Sequence, residues 1–128
     1  MTLSSYNLNA SIAVSDMAKA RGFYEGRLGL VVLQTGADGS RIYKCRGGAS
    51  LHVYPSPVHA GNTAATLATW YVDDIDRVVE ELTARGVPFA RYEGIEADPR
   101  GIAPRAGGGR VAWLTDPDGN TFAVEADN

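Results

Sequence analysis

The sequence predicts an α+β fold built from two βαβββ modules in tandem. Two observations lead to this class. A strand, a capped helix and three further strands follow one another twice along the 128 residues. The chain then closes on two apolar runs that flank Asp-Pro-Asp-Gly-Asn at residues 116–120, which is typical of a hairpin. A helix on a small sheet buries only one sheet face. We therefore expect the two modules to curve into one partly closed, eight-stranded sheet with the helices on its convex face.

Module one is predicted to span about residues 6–55. Alternating apolar residues indicate a first strand, and Ser15 or Asp16 then caps a helix that ends at Gly29. Turn sequences separate the strands that follow. A stretch without periodicity, at residues 56–64, is the predicted connector. The strands are expected at residues 8–14, 30–35, 41–46 and 49–54.

Module two is predicted to span about residues 65–126 and to repeat this plan. Asp73 or Asp74 caps a helix whose apolar residues follow helical spacing, and Gly86 ends it. A long loop rich in glycine and proline occupies about residues 93–109, and its role stays open. The two modules together form a single predicted domain, residues 1–128. The strands are expected at residues 66–72, 87–92, 110–115 and 120–125.

The amino-acid composition makes several classes of function improbable for this chain. The chain has 45% apolar residues, enough for a core, and its 12 basic and 15 acidic residues give a net charge of −3. Nucleic-acid binding is disfavoured because no basic run could neutralise phosphates. The single cysteine cannot form an internal disulfide, and no secretion signal or membrane-spanning run is present. We expect a soluble, cytoplasmic protein without a membrane partner.

Three stretches carry a family resemblance. Trp-Leu-Thr-Asp-Pro-Asp-Gly-Asn at residues 113–120, followed by a closing strand, resembles the C-terminal signature of the vicinal oxygen chelate superfamily. That superfamily includes glyoxalase I, bleomycin-resistance proteins, extradiol dioxygenases and fosfomycin-resistance proteins. Val-Ser-Asp-Met at residues 14–17 resembles its first module, and Val-Asp-Asp-Ile at residues 72–75 resembles its second. The resemblance covers nearly the whole chain in the right order.

In metal-dependent members of this superfamily, four side chains, mostly His and Glu, hold one divalent cation. The matching positions here are Asn9, His52, Leu67 and Ala123. Two of them have no donor atom, and an amide is a weak ligand. The resemblance therefore implies that the metal site is lost. We expect no cofactor, with a divalent metal ion as the alternative. Glu125 lies about 6–7 Å beyond Ala123 along the strand, and a solvated strand end is its favoured interpretation.

Polar and aromatic side chains remain on the predicted concave face. Tyr54, Tyr71 and Trp113 could instead complete a core, because a register error of one residue exchanges the two sheet faces. Trp70 has the opposite parity and is the better core candidate. The candidate ligand-binding residues are Asn9, Ser11, His52, Tyr54, Thr69, Tyr71 and Trp113.

Three further side chains have two interpretations each. His52 is favoured as a hydrogen-bonded lining residue, but histidine can also serve as an acid or base near neutral pH. Arg100 and Arg105, in the long loop, could clamp an anionic ligand. Solvated side chains are the favoured interpretation of both arginines.

The sequence thus predicts a metal-free small-molecule binding protein of the glyoxalase/bleomycin-resistance type, holding a small, partly aromatic ligand. The alternative is a lyase, isomerase or dioxygenase-like enzyme of the same superfamily, with a displaced metal site or with acid/base catalysis by His52. A subunit with a vestigial cleft is a third hypothesis. The resemblance also implies a homodimer, often with clefts formed by modules from both chains.

Overall fold

The structure, a computed structural model, describes residues 2–128 and divides into two compact units. The first unit ends at Asn62, and the second runs from Thr63 to Asn128. This boundary falls inside the predicted connector at residues 56–64. The α+β class and the tandem βαβββ order are confirmed. No helix within residues 2–128 is long and apolar enough to cross a membrane.

The first unit contains one open four-stranded sheet and a helical segment. Its elements are β1 (Asn9–Val14), α1 (Met17–Arg21), a π-helix (Gly22–Arg27), β2 (Val32–Thr35), β3 (Arg41–Lys44) and β4 (Ser50–Pro55), with short 3₁₀ turns at Leu3–Ser5 and Arg46–Gly48. The strand order is β1-β4-β3-β2. Strands β1 and β4 pair in parallel. The pairs β4–β3 and β3–β2 are antiparallel.

The first helix differs from the expected one. Asp16, one of the two predicted caps, accepts hydrogen bonds from the backbone N–H groups of Ala18 and Lys19 at 2.9 and 3.3 Å. Beyond α1, however, the helix widens into a π-helix, and the N–H of Leu28 reaches the carbonyl of Phe23 at 2.9 Å. The wider turn lets two consecutive aromatic residues, Phe23 and Tyr24, both be buried.

Alternation along the strands separates an apolar face from a polar face in the first unit. Ile12 of β1 pairs with Val53 of β4, and both are buried. Tyr43 of β3 lies on the same face and stacks on Tyr24 at a centroid distance of 6.0 Å. Since Tyr24 belongs to the helical segment, that segment covers the apolar face, and the polar residues of β1 and β4 point the other way.

The second unit contains an open sheet of five strands and one long helix. Its elements are β5 (Thr66–Tyr71), α2 (Ile75–Ala84), β6 (Phe89–Ala90), β7 (Ala103–Pro104), β8 (Arg110–Thr115) and β9 (Thr121–Ala126). The strand order is β5-β9-β8-β6, and β7 pairs with β8. The unit therefore has the same topology as the first, with one added strand.

Local hydrogen bonds define the start of α2 and the β8–β9 turn in the second unit. Asp74 caps α2 by accepting from the N–H of Arg77 at 3.1 Å, and the helix buries Ile75 and Val79. At the β8–β9 hairpin, buried Asp116 accepts from the backbone N–H and the side-chain Nδ2 of Asn120, each at 2.8 Å. The hairpin predicted from residues 116–120 is confirmed.

The strand count needs a correction. Eight strands in one sheet were expected, whereas within residues 2–128 hydrogen bonding groups nine strands into one sheet per unit. The additional strand, β7, lies inside the predicted loop at residues 93–109. It forms because Arg105 and Gly109 close a tight turn, with an N–H to carbonyl distance of 2.9 Å, that brings Ala103 opposite Val111.

Candidate functional site

A cavity of about 420 Å³ lies on the sheet of the second unit, on the face turned away from the buried residues of α2. Strand register explains how its floor is assembled. Thr69 of β5 pairs with Ala123 of β9, and Ala123 pairs with Trp113 of β8, so the three side chains share one face. The complete lining is Thr66, Thr69, Ile95, Pro104, Arg105, Ala106, Val111, Trp113, Ala123 and Glu125.

The floor of this cavity is apolar and firmly packed. Ala103, Val111 and Ala123 form a buried cluster, against which Trp113 packs. The indole of Trp113 also meets the ring of Tyr92 edge to face, with centroids 5.1 Å apart. Trp113 is therefore held in place as a partly exposed aromatic wall, a suitable surface for a flat ligand.

A β-bulge in β5 changes which side chains reach the cavity. Thr66 pairs with Thr121 and Ala68 pairs with Phe122, so β5 carries one extra residue between these pairs. Thr66 therefore shares a face with Thr69, although simple alternation would put Leu67 there. Leu67 does not line this cavity. Two threonine hydroxyls consequently stand on the β5 side of the pocket.

An ion-paired arginine forms another part of the wall. Arg105 contacts Glu125 at 3.1 Å and Asp127 at 2.7 Å, and its Nε donates to the carbonyl of Gly108 at 2.8 Å. The hydrogen bonds that Arg105 donates to Asp127, and then to Glu125, raise the pKa of Arg105. The side chain of Glu125 is 21% exposed. Arg105 and Glu125 are therefore paired with each other and partly exposed, and are not separately solvated side chains.

Arg100, the second loop arginine, is paired elsewhere. It contacts Asp98 and Asp76 at 2.8 Å each, and Glu80 at 3.3 Å. Asp76 and Glu80 belong to α2, so Arg100 ties the loop to the helix. Arg100 does not line the cavity that contains Trp113, and it lines a different cavity between the helix and the loop. Its side chain is ion-paired and remains 36% exposed. The hydrogen bonds that Arg100 donates to Asp98, and then to Asp76, raise the pKa of Arg100.

The candidate residues of the first unit share the polar face of its sheet. Ser11 pairs with His52 and Ala13 pairs with Tyr54, on the face opposite to buried Val53. Asn9 donates through Nδ2 to the Ser50 hydroxyl at 2.7 Å. The rings of His52 and Tyr54 stack with centroids 5.4 Å apart. Asn9, Ser11, His52 and Tyr54 therefore form one contiguous polar and aromatic surface.

Two aromatic residues of β5 occupy contrasting positions. Tyr71 is 77% exposed and lies beyond the cavity at the end of the strand, so it does not complete a core. Trp70 lies on the other face and packs against buried Phe122 at a centroid distance of 5.4 Å. The parity argument that made Trp70 the core candidate therefore holds.

The side chains at the four metal-ligand positions do not fit a divalent cation. In the first unit, Asn9 offers an amide and His52 an imidazole. In the second, Ala123 presents only a methyl group, and Leu67 is hydrocarbon that lies off the cavity. Within residues 2–128, no three His, Cys, Asp or Glu side chains are grouped as metal ligands.

Comparison with known proteins then identifies the family. A family model, Glyoxalase/Bleomycin resistance protein/Dioxygenase superfamily, matches residues 7–124. The chain belongs to this superfamily. No curated protein matches it.

Solved structures of the superfamily resemble the chain over nearly its whole length. A glyoxalase/bleomycin resistance protein from Catenulispora acidiphila is 27% identical, with a TM-score of 0.73, and the match covers 94% of this chain and 96% of that one. TnmS3, an antibiotic binding protein from Streptomyces, is also 27% identical, with a TM-score of 0.69 and 96% coverage of both chains. The fosfomycin resistance protein FosX from Listeria monocytogenes is 16% identical, with a TM-score of 0.70 and coverage of 94% and 92%, and shares the fold.

Part of the cavity lining was not predicted. Ile95, Pro104 and Ala106 come from the long loop, whose length was the only sequence signal that it contributes to a site. Thr66 was missed because a bulge is invisible to strict alternation. Val111 was detectable, since it lies two residues before Trp113 on the same strand.

Proposed function

We propose that the protein binds a small, partly aromatic molecule without a metal ion, and that it sequesters or carries this ligand. The binding site is the cavity of the second unit. One observation supports this most directly: the cavity floor carries Ala123 at a metal-ligand position of the superfamily and Trp113 beside it. A methyl group and an indole favour contact with a flat apolar surface.

The lining suits a ligand with both aromatic and polar parts. Trp113, Ile95 and Pro104 supply apolar contact, and the hydroxyls of Thr66 and Thr69 supply hydrogen-bond donors and acceptors. A few polar groups on a mostly apolar wall fix the orientation of a ligand. The ligand we expect is therefore a small aromatic molecule bearing oxygen or nitrogen substituents.

The comparisons support a binding role. TnmS3, which is 27% identical to this chain, is described as an antibiotic binding protein. The Catenulispora protein, at the same identity, is described as a glyoxalase/bleomycin resistance protein. By analogy we propose a ligand-binding role here, with no particular drug implied.

In the first unit, the surface formed by Asn9, Ser11, His52 and Tyr54 is proposed as a ligand-facing surface in its own right. Stacked rings next to amide and hydroxyl groups have the same mixed chemistry as the cavity of the second unit. Exposed Tyr71 is proposed as a further contact at the end of β5.

A pair of tryptophan variants tests the proposed site. Trp113→Leu removes the aromatic wall, and we expect the affinity for the carboxamide of naphthalene to fall about tenfold, since aromatic contact contributes about 0.5–1.5 kcal/mol beyond area burial. Trp70→Leu is the matched control on the opposite face of the same sheet, and it should leave this affinity unchanged. Isothermal titration calorimetry measures both affinities, after thermal melts establish that each variant is folded.

Two results would contradict the proposed site. Equal losses of affinity in Trp113→Leu and Trp70→Leu would show that the effect is one of stability and not of contact. An unchanged affinity in Trp113→Leu would remove the cavity of the second unit from the binding site.

A further inference from the structure

Negative charges outnumber positive charges around the cavity of the second unit. Arg105 and Glu125 are the two charged side chains among its ten lining residues. Arg105 also pairs with Asp127 at 2.7 Å, outside the lining. One cation therefore faces two carboxylates, and the local net charge is negative.

Three of the five N–H donors of Arg105 are already directed at these acceptors. Nε is held by the carbonyl of Gly108, and the two terminal nitrogens reach Glu125 and Asp127. An anionic ligand group approaching the guanidinium would have to displace a carboxylate or lie beside one. Like charges in a partly desolvated site repel each other, and this repulsion discriminates between partners.

We propose that this cavity selects aromatic ligands that carry no negative charge, and that Glu125 is the residue that enforces the selection. This inference rests on the proposed function and adds the charge class of the ligand. Neutral ligands contact the apolar floor and the threonine hydroxyls without electrostatic repulsion from Glu125. Cationic ligands gain from the carboxylate of Glu125, whereas anionic ligands meet it as a like charge. Arg105 acts as the fixed partner of Glu125 and not as a clamp for an anion.

Three probes of nearly identical shape test the inference. At neutral pH, naphthalene carboxamide is neutral, naphthalene carboxamidine is a cation and naphthalene carboxylate is an anion. Isothermal titration with the full-length protein should show that the carboxamide and the amidine bind. The carboxylate should bind at least about tenfold more weakly, as expected for one like-charge contact in a partly buried site.

Variants then assign the selection to its residue. Glu125→Gln leaves Arg105 without its partly buried carboxylate partner, so the affinity for the carboxylate probe should rise about tenfold while that for the carboxamide changes little. Glu81→Gln is the matched control, because it removes the same charge from the exposed Arg77–Glu81 pair on α2. Asp127→Asn removes the other carboxylate partner of Arg105, on a side chain that is 97% exposed and outside the lining. Because solvent screens this charge, the variant should raise carboxylate binding less than Glu125→Gln does, and an equal or larger gain would overturn the assignment to Glu125.

The outcomes separate the two proposals. If no probe binds, the proposed function fails and the charge selection fails with it. If the carboxylate binds the parent protein as tightly as the carboxamide, the charge selection alone is overturned. Equal gains of carboxylate binding in Glu125→Gln and Glu81→Gln would show an effect of overall charge, which would also overturn the assignment to Glu125.

Discussion

The position of the Arg105 side chain depends on a neighbouring glycine of the same loop. Its guanidinium lies next to Gly109, whose φ of +82° is in the left-handed region. A Cβ atom added at Gly109 would overlap the carbonyl oxygen of Ala126 and lie 2.7 Å from Nη2 of Arg105. Glycine therefore lets the loop approach β9 closely enough for Arg105 to reach Glu125 and Asp127.

Gly109→Ala should destabilise the protein by about 2–4 kcal/mol, because it combines left-handed backbone strain with a clash against backbone. The matched control is Gly107→Ala, in the same loop with a φ of +84° and no heavy atom within 4 Å of an added Cβ. That control should cost about 1–2 kcal/mol from the backbone alone. Urea unfolding measures both values, and equal losses would contradict the close approach at Gly109.

The candidate residues were predictable where they depend on strand alternation alone. Trp113 and Thr69 reach the cavity because every second residue of a strand shares a face, and the sequence shows that pattern directly. Thr66 was not predictable, since its position follows from a bulge. The contact between Arg105 and Glu125 joins residues 20 positions apart, and it depends on the path of a loop that no local pattern specifies.

At the scale of elements, one carboxylate of α2 contacts both β8 and the long loop. Asp76 accepts from Arg110 at 2.7 and 2.9 Å and contacts Arg100 at 2.8 Å. Hydrogen bonding to Arg110, and then to Arg100, lowers the pKa of Asp76 from 3.8 to about 2. The helix, β8 and the loop therefore meet at a group that is ionised in all but strongly acidic solution.

The depressed pKa of Asp76 predicts a pH dependence of stability. Because the folded-state pKa lies below the ordinary value, the stabilisation is complete above about pH 4 and is lost as pH falls to about 2. Asp76→Asn should lower stability at neutral pH. The difference between parent and variant should then shrink over that acidic interval. Urea unfolding at a series of pH values measures this difference.

Glu81→Gln is the control for Asp76→Asn, since the Glu81 carboxylate forms an exposed pair with Arg77 and exposed pairs contribute little. It should change stability only slightly at every pH. A difference between Asp76→Asn and the parent that stays constant from neutral to strongly acidic pH would contradict the ion-pair cluster as its source.

The elements themselves were largely predictable, and their irregularities were not. The caps Asp16 and Asp74 and the residues 116–120 hairpin depend on local hydrogen bonds, and the sequence shows them. The π-helix after Arg21 coincides with two consecutive buried aromatic residues, Phe23 and Tyr24. This irregularity depends on tertiary packing, and no local sequence pattern predicts it.

For the whole molecule, we propose a homodimer in solution, and the edge strand β2 is the surface we expect to take part. All four of its residues are exposed, Leu33 is 59% exposed and neighbouring Val31 is 62% exposed. Exposed apolar edge strands tend to pair, and a lysine there opposes pairing. Leu33→Lys should therefore shift the dimer towards monomer in equilibrium sedimentation at micromolar concentration.

Val58→Lys is the control for the dimer, because Val58 is 78% exposed in the connector and the variant adds the same charge. It should leave the dimer unchanged. A parent protein that sediments only as a monomer would contradict the proposed assembly, and equal dissociation by both variants would remove β2 from the interface.

The central claim is that a small aromatic ligand binds on the floor of the second unit's cavity without a metal ion. Titration of chelator-treated, isotope-labelled protein with the carboxamide of naphthalene, followed by NMR, tests it most directly. We predict saturable shifts at the Trp113 indole and the Thr69 and Ala123 amides, unchanged when a divalent cation is added. Binding that appears only after the cation is restored, or shifts that avoid these residues, would contradict the claim.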